Sequence, residues 1–495
     1  METFRPTLRL LPESLVSSIY EEALAILERA GVFIENEEAY RLLREAGMKA
    51  DEEKKRVFIT ADLAKKSLAS APRKVVLYDV NGAPRVHMEG DRSHFVPGSA
   101  ALNVLDPSSG AIRKPRTEDY ATFSRVVNAL EHIDAQSTSI ICADVPEELA
   151  DRYRLYVALH YCAKPVVTGT FREDAFKVMK DMLVAMRGSE EKLREQPLAI
   201  FDACPSPPLK WSHLTCQSVI DAARSGIPSE FISMPLAGAT GPVTLVGSIT
   251  QHVAETLSGV VISQLAAPGA PVIFGGSPSV FDMRKGTTPM GAIETMMIDA
   301  SYAQVGKFLG LPTHAYMGLS DAKRLDYQGG LESSAGIMLA ALTGINMISG
   351  AGMHDFESCQ SIQKLVMDNE ICGMAKRLTR GVEAVSHPMA LDILMDVTHR
   401  GMNFLSHPTT LSQFRHEFYF PSPVIDRANL GDWEKEKREL PARIDDRLKK
   451  ILAAESYRLA EEKSRALHEI MLANAKQFGL ERLPALPLYE KALHR

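Results

Sequence analysis

The chain has 495 residues, 45 % hydrophobic and 24 % charged, a globular composition that excludes disordered, collagen-like and coiled-coil classes. Its 56 Lys+Arg against 62 Asp+Glu leave a net charge of −6 without a basic block. Nucleic acid, whose binding is dominated by phosphate neutralisation, is therefore not an expected partner.

The opening METFRPTLRLLPESL has no uninterrupted apolar stretch and no small-residue cleavage site, so no secretory signal is predicted. No apolar run reaches 18 residues free of charges and helix breakers, so no membrane span is expected and the chain is expected to be cytoplasmic. The six cysteines, Cys142, Cys162, Cys204, Cys216, Cys359 and Cys372, form no C-x-x-C pair and read as reduced thiols.

Residues 1–92 predict an extension with helices at Glu13–Ala30 and Glu37–Ala46 and short strands at Val57–Ile59 and Val75–Tyr78. From residue 93 to 380 one rhythm repeats. β-Rich runs at His94–Leu105, Ile133–Asp144, Lys164–Thr170, Leu198–Cys204, Glu230–Ala237, Pro271–Gly276, Thr313–Leu319 and Ile345–Gly350 are each followed by a helical pattern. Eight strand-then-helix units predict a (β/α)8 TIM barrel, because parallel strands need crossover helices and eight of them close without edges. An open doubly wound sheet is the rival, and no G-x-G-x-x-G follows an early strand. Residues 381–495 read as a helical extension ending in a long helix, Pro441–Phe478, with Leu448, Ile451, Leu452, Leu459 and Leu467 as its apolar stripe. That stripe packs either within the chain or in a homo-oligomer.

In such a barrel, function sits in the loops after the strands. Here those loops are rich in small residues, as in Phe95-Val-Pro-Gly-Ser99, Gly275-Gly-Ser-Pro278 and Gly350-Ala-Gly-Met-His-Asp-Phe356. Their titratable groups are Asp202, Asp321, Lys323, His354 and Asp355, with Glu332 slightly further on. Asp202 and Asp321 allow a two-carboxylate glycosidase, and Lys323 allows either a Schiff base or a salt bridge to a nearby acid. His354 reads as a structural histidine or a carboxylate-binding one. No metal-ligand cluster, P-loop, G-x-S-x-G or H-E-x-x-H motif stands out.

Ser320-Asp-Ala-Lys323, Gln328-Gly-Gly-Leu-Glu332, Ala340-Ala-Leu-Thr-Gly-Ile-Asn346 and Leu365-Val-Met-Asp-Asn369 resemble segments of the trimethylamine methyltransferase family. Cys204-Pro-Ser-Pro-Pro-Leu209, Phe281-Asp-Met-Arg-Lys-Gly286 and Gly431-Asp-Trp433 extend the likeness over nearly the whole chain. The resemblance implies a (β/α)8 barrel that passes a substrate methyl group to the cobalt(I) of a separate corrinoid protein, so no cofactor is expected to be held tightly by this chain. In the trimethylamine enzymes a pyrrolysine stands two residues before Ser-Asp-Ala-Lys, and here that position is Gly318. Family members without pyrrolysine act on quaternary amines. The implied reaction therefore takes glycine betaine to dimethylglycine, with carnitine, γ-butyrobetaine and proline betaine as alternatives.

A quaternary ammonium needs no general acid, so no acid–base residue is expected, and the methyl group is expected to be positioned near Gly318. Phe95, Phe171, Tyr316 and Phe356 are candidates to face the ammonium by cation–π attraction, and Asp202 to balance its charge. His354 or the backbone of Gly350–Gly352 is expected to take the carboxylate. Gly318, Ser320, Asp321, Lys323, Gly350 and Gly352 are expected at the barrel mouth, facing the corrinoid. A betaine-binding protein without catalysis is the remaining rival.

Overall fold

Short apolar runs closed by Gly, Ser or Pro form eight strands in the computed structural model, which describes residues 4–384, 388–487 and 489. They are β1 (His94–Pro97), β2 (Gln136–Ser137), β3 (Val166–Gly169), β4 (Ala199–Ala203), β5 (Ser229–Ser233), β6 (Val272–Gly276), β7 (His314–Tyr316) and β8 (Met347–Ala351). A helix follows each: α1 (Thr117–Ala129), α2 (Ala150–Tyr161), α3 (Ala175–Arg187), α4 (His213–Ser225), α5 (Leu245–Ala266), α6 (Ile293–Phe308), α7 (Tyr327–Leu342) and α8 (Ile362–Arg380). Local chemistry sets several helix ends. Ser212, Thr244, Asp326 and Ser361 cap the first turns of α4, α5, α7 and α8, and left-handed Gly188 and Gly226 end α3 and α4.

The fold is α/β and these strands pair in parallel. Strands β2 to β6 form one sheet in sequence order, and β7, β8 and β1 form a second. A backbone bridge between Phe274 and Thr313 joins β6 to β7, and the Asp134 and Ala135 amides donate to Phe95 O between β1 and β2. The neighbour relations thus return to β1. Among the described residues no helix is long and apolar enough to cross a membrane.

Near the strand starts, Val96, Ala135, Val167, Ile200, Ile273 and Met347 pack with Val75, Leu77, Val86 and Met88 of an antiparallel hairpin, Val75–Tyr78 with Pro84–Met88. At the strand ends a second cluster gathers Ala101, Ile232, Met290, Tyr316, Leu319 and Met353. Helix α5 is buried nearly all round because the N-terminal helices Glu13–Arg29 and Ala61–Ser70 cover its outer face. The N-terminal segment also takes Lys210–Trp211, from the loop after β4, into its four-stranded sheet with Val32–Ile34.

The expected helix over Pro441–Phe478 is two helices, Leu440–Ala453 and Glu461–Lys476. The first packs on α8 and α1, the second on α3 and α2. One straight rod cannot reach both surfaces. The break is held where the Tyr489 hydroxyl accepts from Leu459 N and donates to His160 O, each at 2.7 Å. Between them and α8, the helices Leu391–Arg400, Pro408–Glu417 and Leu430–Glu436 bury none of their residues.

Lys164, at the start of β3 and 4 % exposed, donates to the Val127, Leu130 and Ile133 carbonyls at 2.6–2.7 Å. It thereby ties the end of α1 to the segment that leads into β2. Val127 O also accepts from Leu130 N, so Lys164→Met strands the Leu130 and Ile133 carbonyls and is expected to cost about 2 kcal/mol or more. Thermal denaturation should show a lower melting temperature than wild type, and an unchanged one contradicts this role.

Candidate active site at the strand ends

Strand parity decides what meets between the strands. Asp202 and Glu230 are register partners on β4 and β5, so both side chains turn the same way. Glu230 is fully buried, and both its oxygens and Oδ1 of Asp202 accept no hydrogen bond from a neighbouring N–H or O–H donor. A proton held between the two carboxyls would join them. Burial pushes Asp202 up to about 7, and burial together with the Asp202 charge raises Glu230 well above the carboxylate range. On β7, His314 Nδ1 lies 3.5 Å from Glu230 Oε1, while Nε2 is 2.8 Å from Ser349 Oγ on β8. Burial lowers His314 to about 3, so the imidazole is neutral at pH 7. Gly275 on β6 makes room for this contact, because a Cβ there would sit 3.1 Å from both Glu230 Cγ and His314 Nδ1.

A cavity of about 350 Å³ opens beside this pair, lined by Ser99, Arg154, Phe171, Asp202, Cys204, Ile232, Met234, Ser277, Tyr316 and Glu357. Tyr316 is buried on the interior side of β7, edge-on to His314 at 4.9 Å. Glu357 enters from the loop after β8 on a turn in which Asp355, Phe356 and Glu357 all have φ between 53° and 67°. Three consecutive non-glycine residues in the left-handed region store strain, a feature that concentrates at functional sites. Burial and the charge of Asp321 raise Glu357 to about 7.

The Ser320–Lys323 segment ties three loops together. The Asp321 carboxylate accepts from the Met290 and Gly291 amides of the β6 loop at 2.9 and 3.0 Å, and burial raises it to about 6. Ser320 Oγ donates to Glu332, which also accepts from Asp321 N. Lys323 donates to Asp321 O, pairs with Asp355 at 3.4 Å and stands 3.8 Å over the Phe356 ring. It is thus a salt-bridged clamp on the strained turn that presents Glu357.

Of the residues expected from sequence, Asp202, Phe171 and Tyr316 meet in the cavity. Phe95 does not. Its neighbour Val96 faces the strand interior, so Phe95 packs outward in the strand–helix core, beneath Lys376 of α8. Phe356 is held under Lys323 outside the cavity lining. His354 is fully buried, and desolvation with the nearby Lys364 charge lowers it to about 3, so it is no cation for a carboxylate. Gly352 N is already taken by Asp368 at 2.7 Å, and Lys364, paired with Asp368 at 2.6 Å, donates to Gly318 O. Gly318, Gly350 and Gly352 are buried against one another's loops and Ser320 and Asp321 are nearly so, which leaves Lys323 as the one member of that set with a half-exposed side chain. Asp321 and Glu332 line a groove of their own, while Asp202 lines the cavity.

Glu230, His314, Glu357 and Arg154 escaped the sequence reading. A glutamate at the second position of Ser-Glu-Phe-Ile-Ser, a strand buried on both faces, is the sequence signal for the first of these.

A carboxyl raised in the native state keeps a proton that the unfolded chain has released. Its contribution to stability is therefore full below about pH 4 and lost as pH rises to about 7. Asp202→Asn and Glu357→Gln remove that loss. The melting-temperature gain of each variant over wild type should grow between pH 5 and pH 8, and a gain independent of pH contradicts the raised values.

The profile of the trimethylamine methyltransferase family matches residues 1–479. The chain is 32 % identical over 416 residues to a trimethylamine methyltransferase of Desulfitobacterium hafniense (strain DSM 10664 / DCB-2), covering 84 % of this chain and 83 % of that protein. It is 30 % identical over 450 residues to a glycine betaine methyltransferase of Desulfitobacterium hafniense (strain Y51), covering 90 % and 93 %. The crystal structure of the Methanosarcina barkeri monomethylamine methyltransferase superposes with a TM-score of 0.50 at 14 % identity over 97 % of this chain and 90 % of that one, a likeness of fold. On the sequence match over nearly its whole length, the chain belongs to the trimethylamine methyltransferase family.

Proposed function

We propose that the chain moves a methyl group from a quaternary amine, glycine betaine before carnitine, γ-butyrobetaine or proline betaine, to the cobalt(I) of a corrinoid carrier protein, and that its cyclic strand order is a (β/α)8 barrel. The observation that carries the reading is the cavity lined by Asp202, Glu357 and Tyr316, with Glu230 beside Asp202 on the next strand. A permanent cation entering there meets an aromatic ring and carboxyls that ionise in its presence. The C–N bond breaks with its electron pair left on nitrogen, and the tertiary amine leaves neutral, so no group need protonate it. The protein's part is orientation and exclusion of water.

Gly318 supports the absence of a covalent activator, since even a Cβ there would lie 3.1 Å from Ala351 N and 3.2 Å from Ser349 O. The carrier's cobalt(I), when bound, supplies the nucleophile. Val243 and Met283, 67 % and 66 % exposed beside the groove of Asp321 and Glu332, are the residues suited to take its apolar ring.

Purified protein, cobalt(I) cobalamin and each amine in separate cuvettes test the reaction. Loss of the cobalt(I) absorbance with glycine betaine, and none with trimethylamine, is expected. Silence with every quaternary amine, even with a corrinoid protein supplied, contradicts the proposal. Tyr316→Leu should raise KM for the amine about 2- to 30-fold if the ring faces the ammonium. Unchanged KM in the folded variant removes Tyr316 from the cavity's function.

A further inference from the structure

The cavity with the acidic side chains also contains a buried cation that no acid among the described residues contacts as an ion pair. Arg154, on α2, is 1 % exposed. Its Nε donates to Ala150 O at 3.2 Å and its Nη1 to Thr138 O at 2.7 Å. Nη2 has no hydrogen bond among the described residues, and no carboxylate there is ion-paired with the guanidinium. Asp151, the acid three residues before it on the same helix, is occupied elsewhere. It accepts from Arg152 Nε at 3.1 Å and from the Phe171 and Arg172 amides at 2.7 and 3.2 Å. Those amide bonds fix the loop after β3, so that the Phe171 ring covers the guanidinium at 4.4 Å.

A buried, unpaired guanidinium is costly unless something completes it. Here its planar face is shielded, two nitrogens are anchored, and the remaining one belongs to a residue that lines the same cavity as Asp202, Tyr316 and Glu357. We infer that Arg154 is the substrate's carboxylate anchor, so that the cavity reads a zwitterion by both ends: the ammonium at the carboxyl and tyrosine side, the carboxylate at Arg154 Nη2. The inference rests on the proposal that this cavity receives the methylammonium group. It adds the residue that separates a betaine from an amine lacking a carboxylate. Arginine suits this task because its donors are rigid and its charge persists when buried. Phe171, held by Asp151, is the positioning residue that keeps the guanidinium from swinging out.

Isothermal titration of the full chain with glycine betaine and with tetramethylammonium, which shares the head and lacks the carboxylate, tests this directly. Wild type should bind glycine betaine about 10- to 100-fold more tightly. Arg154→Gln should remove that preference by weakening glycine betaine alone, and Arg154→Lys should retain part of it. Equal wild-type affinity for the two ligands, or a variant that weakens both to the same degree, overturns the anchor while leaving the methylammonium site standing. Absence of binding by either ligand overturns the anchor together with the site reading. The wild-type comparison decides the matter even if a variant fails to fold.

Discussion

Two carboxyls placed side by side on neighbouring parallel strands, one fully buried and one at the wall of a cavity, are the constraint on which the rest of the site depends. Asp202 and Glu230 cannot both be ionised there without a cation, since like charges so close repel and Glu230 has lost its hydration. The surrounding residues answer that cost only in part. His314 is neutral, Arg154 lies beside the pair without bonding to it, and Glu357 adds a third acid instead of a counter-charge. A site left so short of positive charge is organised for a positively charged ligand.

The remainder of the fold holds that arrangement in place. An apolar cluster and a hairpin close the strand starts, so polar groups accumulate toward the strand ends. The Ser320–Lys323 segment, which carries the most specific family motif, touches neither Asp202 nor Glu230. It locks the loops after β6, β7 and β8 to one another and clamps the left-handed turn that aims Glu357. The buried Lys364–Asp368 pair holds Gly318 and Gly352 from behind. The motif's chemistry is thus mechanical: charges and amides fix loops so that a few carboxyls and rings converge.

The eight strand–helix units were legible because each apolar run and each helical stripe has its own period, with Gly, Ser or Pro between them. Parity within a strand was not legible without knowing where the interior lies, and that is why Phe95 and Tyr316 looked equivalent although one faces the helices and the other the cavity. Arg154 was hidden in Asp-Arg-Tyr-Arg, which has the composition of a solvated helix face, yet all four residues are buried. Glu357 was hidden because its direction comes from a left-handed turn held by tertiary contacts, the Asp355 amide on Ala322 O, Ser358 on the Asp355 carboxylate and Lys323 beside it. The single helix expected over Pro441–Phe478 failed for the opposite reason: nothing local interrupts it, and two separate packing surfaces do.

The central claim is that the buried carboxyls receive the substrate's cation, and proton release on binding measures it most directly. Glycine betaine titrated calorimetrically at pH 7, in buffers of different ionisation enthalpy, should release part of a proton per molecule bound as Asp202 and Glu357 ionise, with the release fading by pH 9. Binding at pH 7 with no dependence on the buffer would contradict the account.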